Sequence, residues 1–234
     1  MSIAEKLQTI AENEQKVFDA GYEKGKAEGG GDSYYDTFWD SFQDNGNRRT
    51  YMYGFAGTGW TPTTFKPKYP IIVKDDASYM FAYCDMLGLD FVENGIELDI
   101  SGATTVTYMF RYSNGITRVG VLDFSNCKEL NRPFYSTQIK TIDCIIVHEN
   151  LSYTNTFDYS NNLENLTVSG TIGKSISFTS CQNLTADSVQ SIIDALITIT
   201  DGVTRTLTLH ADVKAKLTDE QKATITVTKG WTLA

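Results

Sequence analysis

The stretch that decides the fold is FRYSNGITRVGV at residues 110–121, because the same pattern returns as FDYSNNLENLTV at residues 157–168. In both stretches a phenylalanine is followed at fixed intervals by a serine and by three aliphatic residues. A segment of this length holds one short strand and two turns, and it cannot bury its apolar edge alone. The sequence therefore predicts that successive copies stack on one another.

A phenylalanine marks every copy of this pattern. The recurring residues are Phe81, Phe110, Phe134, Phe157 and Phe178, with gaps of 29, 24, 23 and 21 residues. The third copy is irregular, because its apolar residues Ile139 and Ile142 come one position early. A period near 23 lets each phenylalanine cover the one below while neighbouring copies pair at about 4.8 Å.

A second short motif recurs with the same period. LDIS at residues 98–101 and LDFS at residues 122–125 lie 24 residues apart and read as strands. We therefore expect a strand-rich repeat solenoid over residues 76–185.

The repeat pattern F-x2-[CST]-x2-[IL]-x2-[IVL]-x-[IV] resembles the leucine-rich repeat of the BspA-like class, which occurs in bacterial surface and host-contact proteins. The resemblance covers about residues 77–185, although the proline that commonly ends the family's strand is missing. It implies a strand-rich, leucine-rich-repeat-like solenoid over residues 76–185, mainly β with α elements, with a binding or structural role.

Two predictions concern the segments before the repeats. In residues 1–31 the sequence predicts an amphipathic helix over residues 3–28 followed by a glycine break. That helix either drives homo-oligomerisation or lies on its own domain. Residues 32–75 are dense in aromatic residues and predict an N-terminal cap, with an exposed aromatic binding patch as the alternative.

The repeat pattern is absent from residues 186–234, and the sequence there predicts a C-terminal α/β cap. Thr185 is placed to cap a helix, and Thr218 with Gln221 forms the pattern of a capping box. TRTLTLH at residues 204–210 and ATITVT at residues 223–228 alternate as strands do. Such an atypical end is what an open solenoid edge requires.

The flanking segments carry a second resemblance. Residues 11–26, 38–51 and 216–234 are similar to repeat proteins encoded by gut Firmicutes and their bacteriophages, often taken to be virion or tail-associated proteins. This resemblance implies a location in the virion. The bacterial cell surface is the alternative location.

The composition of the chain limits the classes of partner that it is expected to bind. The chain has 234 residues and a net charge of −9, which disfavours binding to nucleic acid or to an anionic membrane. No apolar run approaches the roughly 20 residues of a membrane-spanning helix, and residues 1–15 show no secretory signal. The cysteines, Cys84, Cys127, Cys144 and Cys181, have no metal or redox spacing and are expected to be reduced and buried.

The sequence predicts a protein that is not an enzyme, with no catalytic residue, metal site or cofactor. His148 and His210 read as partly exposed residues at strand ends. Asp99 and Asp123 hold equivalent positions, so adjacent copies place them about 5 Å apart. This spacing leaves a carbohydrate-active enzyme as one alternative, and such close carboxylates are expected to raise one pKa.

Tyrosines are the candidate binding residues. Tyr83, Tyr112 and Tyr159 each follow a repeat phenylalanine by two residues, and Tyr135 is one residue out of that register. They predict a ladder that either stacks on sugar rings or docks a host protein, or that merely stabilises the stack. The leading functional prediction is a non-catalytic phage virion, tail or receptor-binding protein, with a bacterial cell-surface adhesin as the alternative.

Overall fold

The structure is a computed structural model that describes residues 71–82, 84 and 88–234. The predicted helix over residues 3–28, the glycine break and nearly all of the aromatic cap lie outside the described residues. Tyr83 and Leu87 of the first repeat copy lie outside them as well.

The described part is built from short parallel strands. The strands are β1 Ile71–Ile72, β2 Leu89–Asp90, β3 Leu98–Asp99, β4 Ile116–Asp123, β5 Glu129–Asn131, β6 Thr141–Val147, β7 Ser152–Thr154, β8 Asn165–Gly170, β9 Ile176–Phe178, β10 Thr206–Leu209 and β11 Thr232–Leu233. Within residues 71–82, 84 and 88–234, all strand pairs are parallel. Parallel partners require a long crossover, which each repeat copy supplies.

In the described part of the chain, the strands form four parallel sheets. The largest has the order β2-β4-β6-β8, and the smaller ones are β1-β3, β5-β7 and β9-β10-β11. Consecutive strands from β1 to β9 belong to different sheets. The chain therefore contributes strands to several sheets over roughly two dozen residues before it adds the next strand to the first sheet. We call one such segment a tier. Hydrogen bonds between equivalent residues mark this spacing, as where the Cys127 thiol donates to the Ala103 carbonyl 24 residues earlier.

A column of phenylalanines runs through the core. Consecutive rings stack with centroid distances of 5.3, 5.7, 5.3 and 4.7 Å along the series Phe81, Phe110, Phe134, Phe157 and Phe178. All five side chains are buried. Each ring therefore covers the one in the tier below, as the periodicity of the sequence predicts.

Small residues occupy the third position after each phenylalanine. Ser160 donates its hydroxyl to the Phe134 carbonyl at 2.6 Å, and Ser113 donates in the same way to the Phe81 carbonyl. Both serines are fully buried. These hydrogen bonds join one tier to the next and satisfy a polar group inside the core.

The irregular third copy regains its register before the strand begins. Val119 in β4 lies opposite Ile142 in β6, and Ile142 lies opposite Leu166 in β8. The missing residue is thus absorbed in the turn before β6. One position of the repeat pattern faces outward: Val121 is 52% exposed, and Leu122 is buried in its place.

The C-terminal cap begins with a helix, α1 Ala186–Ala195, whose N-cap is Thr185 as predicted. Two short helices follow, α2 Ala211–Ala215 and α3 Asp219–Ala223. The predicted capping box of Thr218 and Gln221 starts α3, and the predicted strand within residues 204–210 is β10.

The strand predicted for ATITVT is wrong. Residues Thr224–Thr228 continue α3 as a π-helical turn in which only Ile225 is buried, while Val227 is 79% exposed. The capping box nucleates a helix that overrides the strand preference of the threonines and valine. Gly230, at φ +75°, then ends the helix, and Thr232–Leu233 supplies the strand that pairs with β10.

Candidate functional site

Residues with left-handed backbone flank the repeat phenylalanines from Phe81 to Phe157. Two residues before each of them, φ lies between +51° and +59°; these residues are Tyr79, Tyr108, Arg132 and Asn155. Two residues after Phe110, Phe134 and Phe157, φ lies between +54° and +59°; these residues are Tyr112, Ser136 and Tyr159. Left-handed backbone is uncommon outside glycine. Its repetition in register gives the tiers of Phe110, Phe134 and Phe157 the same bend at this edge.

Hydrogen bonds hold this edge together from tier to tier. The backbone N–H of Tyr108 donates to the Asn131 carbonyl at 3.0 Å, and that of Tyr112 donates to the Tyr135 carbonyl at 3.0 Å. The N–H of Tyr159 donates to the Ser180 hydroxyl at 2.9 Å. The edge is therefore a rigid frame that fixes where its side chains begin.

Tyrosine rings form a continuous surface along this edge. Ring centroids are 5.3 Å apart for Tyr79 and Tyr108, and 6.4 Å for Tyr108 and Tyr135. Tyr135 also lies edge-on to Tyr112 at 5.7 Å and to Tyr159 at 5.2 Å. We call this surface the tyrosine stripe; its members are Tyr79, Tyr108, Arg111, Tyr112, Arg132, Tyr135 and Tyr159.

Two arginines are built into the tyrosine stripe. The guanidinium carbon of Arg111 lies 4.6 Å from the ring centroid of Tyr108, 4.7 Å from that of Tyr112 and 5.8 Å from that of Tyr135. The guanidinium of Arg132 lies 5.8 Å from the Tyr108 ring. Cation–π contacts of this kind favour a fixed position for a charge at a partly wet surface.

The tyrosine stripe is partly exposed to solvent. Tyr159 has 58% of its surface exposed, whereas Tyr108, Tyr112 and Tyr135 are half-buried. Partial burial raises the pKa of Tyr135, and the neighbouring hydroxyls of Tyr112 and Tyr159 raise it further. The Tyr135 hydroxyl therefore stays protonated at neutral pH and can donate as well as accept hydrogen bonds.

The structure brings together three of the four tyrosines that the sequence singles out. Tyr112, Tyr135 and Tyr159 lie in the tyrosine stripe, and Tyr83 lies outside the described residues. Tyr79, Tyr108 and both arginines were missed. The sequence held a signal for three of them, because Tyr79, Tyr108 and Arg132 each precede a repeat phenylalanine by two residues.

Asp99 and Asp123 hold turns. Each carboxylate accepts a hydrogen bond from the backbone N–H two residues later, from Ser101 at 2.9 Å and from Ser125 at 2.8 Å. The hydroxyl and the N–H of Ser101 lower the pKa of Asp99. We expected the two close carboxylates to raise the pKa of one of these aspartates. The pKa of Asp99 is lowered instead. Both aspartates form Asx turns at the ends of their strands.

The two histidines also have local roles. His148 directly follows β6, and its Nε2 lies 2.8 Å from the Cys127 carbonyl. His210 follows β10, and its Nδ1 accepts the N–H of Asp212 as the N-cap of α2. Within residues 71–82, 84 and 88–234, no cluster of three or more metal-ligating side chains occurs.

The cysteines are free thiols, and one departs from expectation. Cys84, Cys127 and Cys181 are buried, but Cys144 is only half-buried. Burial raises the pKa of Cys127 and of Cys181 to about 12 each, and it also raises the pKa of Cys144. The predicted burial of all four thiols is therefore wrong for Cys144, which lies within β6.

A shallow groove of about 240 Å³ lies where β6 and β8 meet the start of α1. Its polar groups bond to one another: the Thr185 hydroxyl lies 2.8 Å from the Ser188 hydroxyl, and the Asn165 amide donates to the Thr141 hydroxyl at 3.3 Å. The Ser188 hydroxyl also accepts the backbone N–H of Leu166 at 2.9 Å, and this bond joins the sheet to the cap. The tyrosine stripe is consequently the stronger candidate for a binding surface.

Comparisons with known proteins find no match for the chain. No family model matches it, and neither a curated protein nor a solved structure does. Among the helices of the described part, none combines the length and the hydropathy needed to cross a bilayer.

Proposed function

We propose that this chain is a non-catalytic binding protein of a bacteriophage virion, tail-associated or receptor-binding, built on a leucine-rich-repeat solenoid. Its tyrosine stripe is the surface that contacts the host, and a host surface glycan is the ligand we favour. A host protein, or a bacterial cell-surface adhesin that uses the same surface, is the alternative.

One observation carries this proposal: neighbouring rings of Tyr108, Tyr135 and Tyr159 lie within 6.4 Å of one another across successive tiers. A tyrosine presents a large apolar face and a polar tip, which suits the apolar faces and hydroxyls of sugars. Rings held by a rigid backbone lose little side-chain entropy on binding.

The exposure of Tyr159 supports a role beyond stacking. A tyrosine that only stabilised the stacked tiers would contribute most to stability when its ring is buried, because burial of apolar surface is the stabilising contribution. Tyr159 instead leaves 58% of its surface in water. This area is available to a ligand.

A glycan array with wild-type protein and the variants Tyr112→Ala and Tyr159→Ala tests the proposal. We expect binding to at least one glycan and about a tenfold or greater loss in each variant. Val227→Ala, which removes an exposed side chain in the C-terminal cap, is the control. Equal binding by all four proteins, or no binding by wild type, contradicts the glycan proposal.

Immunogold labelling separates the two locations. Antibody raised against this chain should decorate purified phage particles that carry its gene. Label confined to the surface of uninfected bacteria supports the adhesin instead.

A further inference from the structure

The tyrosine stripe ends at Tyr159. In the next tier, the position two residues after the repeat phenylalanine Phe178 holds Ser180, whose hydroxyl accepts the backbone N–H of Tyr159 at 2.9 Å. A serine side chain adds little area over a neighbouring ring. Tyr159 accordingly has 58% of its surface exposed, whereas Tyr135, in the tier before it, is half-buried. The end of the stripe therefore presents an aromatic ring that a ligand can reach.

A carboxylate adjoins Tyr159 in the chain. Asp158 directly precedes it, and one oxygen of Asp158 accepts the Asn155 side-chain amide at 2.6 Å in a solvent-exposed hydrogen bond. An ionised carboxylate has about four acceptor positions, so further donors can bind Asp158. Burial is the main cause of the raised pKa of Tyr135, and the negative charge of Asp158 adds to it. This charge therefore acts on the end of the stripe.

Charges of both signs meet at Tyr135. The guanidinium carbon of Arg111 lies 5.8 Å from the ring centroid of Tyr135, and its positive charge acts against Asp158 on the pKa of that tyrosine. An anionic ligand at Tyr159 meets the carboxylate of Asp158, and the net charge of −9 adds to the repulsion. A cationic ligand meets the positive charge of Arg111. The two charges together favour an uncharged ligand.

A neutral sugar matches this arrangement. The C–H face of a pyranose ring is apolar and packs on a tyrosine ring, and sugar hydroxyls donate hydrogen bonds to a carboxylate. We propose that the Tyr159 end of the tyrosine stripe binds a neutral sugar residue, which packs on the Tyr159 ring and donates two neighbouring hydroxyls to Asp158. This inference rests on the proposed function, because it names the ligand class at one position of the same surface.

Matched monosaccharides test the charge of the ligand. Methyl glycosides of glucose, galactose and mannose are compared with those of glucuronate, galacturonate and mannuronate, in which a carboxylate replaces the hydroxymethyl group. Titrations are followed in two-dimensional amide NMR spectra of the full chain. At least one neutral glycoside should shift the amide signals of Tyr159 and Ser180, with a dissociation constant of about 1–10 mM. Its uronate partner should bind at least about threefold more weakly.

Variants of Asp158 assign the preference to this carboxylate. Asp158→Asn keeps the size of the side chain and removes its charge; it should lower affinity for the neutral glycoside about tenfold and abolish the discrimination against the uronate. Asp187→Asn, at an exposed position in the first turn of α1, is the matched control and should change neither affinity. If Asp158→Asn reduces the thermal midpoint, Asp158→Glu keeps the charge and should retain the discrimination.

The outcomes distinguish this inference from the proposed function. Equal or tighter binding of the uronates by wild type overturns the choice of a neutral sugar and leaves glycan binding intact. A ratio of the two affinities that Asp158→Asn does not change overturns the contact with Asp158. If no monosaccharide shifts the amide signals of Tyr159 and Ser180, the inference is wrong outright, while the glycan array judges the proposed function separately.

Discussion

The rings of Phe134 and Phe157 lie parallel, with centroids 5.3 Å apart and planes inclined by 5°. Both are buried in the core. Phe134 also stacks on Phe110 at 5.7 Å, so it contacts a phenylalanine in the tier on either side. Removal of such a central ring leaves a cavity that two neighbouring tiers must share.

We therefore expect Phe134→Ala to lower the free energy of unfolding by about 3–5 kcal/mol, the usual cost of deleting a buried aromatic ring. Urea unfolding followed by circular dichroism measures this change. Val121→Ala, at an exposed position of β4, should change stability by less than about 0.5 kcal/mol. Equal effects of the two substitutions would show that the ring column does not support the stack.

The buried hydroxyl of Ser160 makes a second prediction. Ser160→Ala leaves the Phe134 carbonyl, a buried acceptor, without this donor. The expected cost is about 1–3 kcal/mol in the free energy of unfolding. Ser169→Ala, at an exposed position of β8, is the control and should be close to neutral. If both serines prove equally dispensable, the hydrogen bond between tiers has no net stabilising role.

The sequence predicts those parts of the architecture that the period of the repeat alone determines. The phenylalanine column followed from spacing, because only stacked tiers bring residues 23 or 24 positions apart into contact. The helical course of Thr224–Thr228 did not, since an alternating pattern cannot show that a capping box upstream propagates a helix. The arginine contacts of the tyrosine stripe were missed for another reason. Arg111 shares its position after phenylalanine with Tyr135, so no repeated residue type marked that column.

Two glycines with positive φ should respond differently to alanine. Gly170 has φ +92°, and a Cβ there would collide with the carbonyl oxygen of Val147 in the adjacent strand; Gly202 has φ +69° and open space around it. Gly202→Ala should cost about 1–2 kcal/mol from backbone conformation alone. Gly170→Ala should cost about 3 kcal/mol or more, because overpacking is added. Urea unfolding compares the two, and a smaller loss in Gly170→Ala would contradict the close approach of the strands.

Acid should weaken the loop that Arg205 anchors. Arg205 is buried, donates to the Gly173 carbonyl at 2.6 Å and pairs with Asp201 at 2.7 Å. This pairing lowers the pKa of Asp201 well below its ordinary value. A depressed carboxyl pKa contributes stability that is present above about pH 4, the unfolded value, and is lost as pH falls below it.

In Asp201→Asn this contribution is absent at every pH. We expect a lower thermal midpoint than wild type at pH 7 and a smaller difference between the two proteins at pH 2 to 3. Asp187→Asn, at an exposed position in the first turn of α1, controls for the loss of one charge. A difference between wild type and Asp201→Asn that is constant with pH would exclude the ion pair as its source.

Thiol reactivity should separate Cys144 from its neighbours. Burial raises the pKa of Cys127 and Cys181 to about 12, so almost no thiolate forms at pH 8, and both sulfurs are shielded. Cys144 is half-buried and should react first with Ellman's reagent in the native protein. Mass spectrometry after brief iodoacetamide labelling identifies the modified peptide. Cys144→Ser should abolish the fast phase of the reaction with Ellman's reagent. Rapid labelling of Cys127 or Cys181 in native protein would instead mean that the tiers open readily around the core.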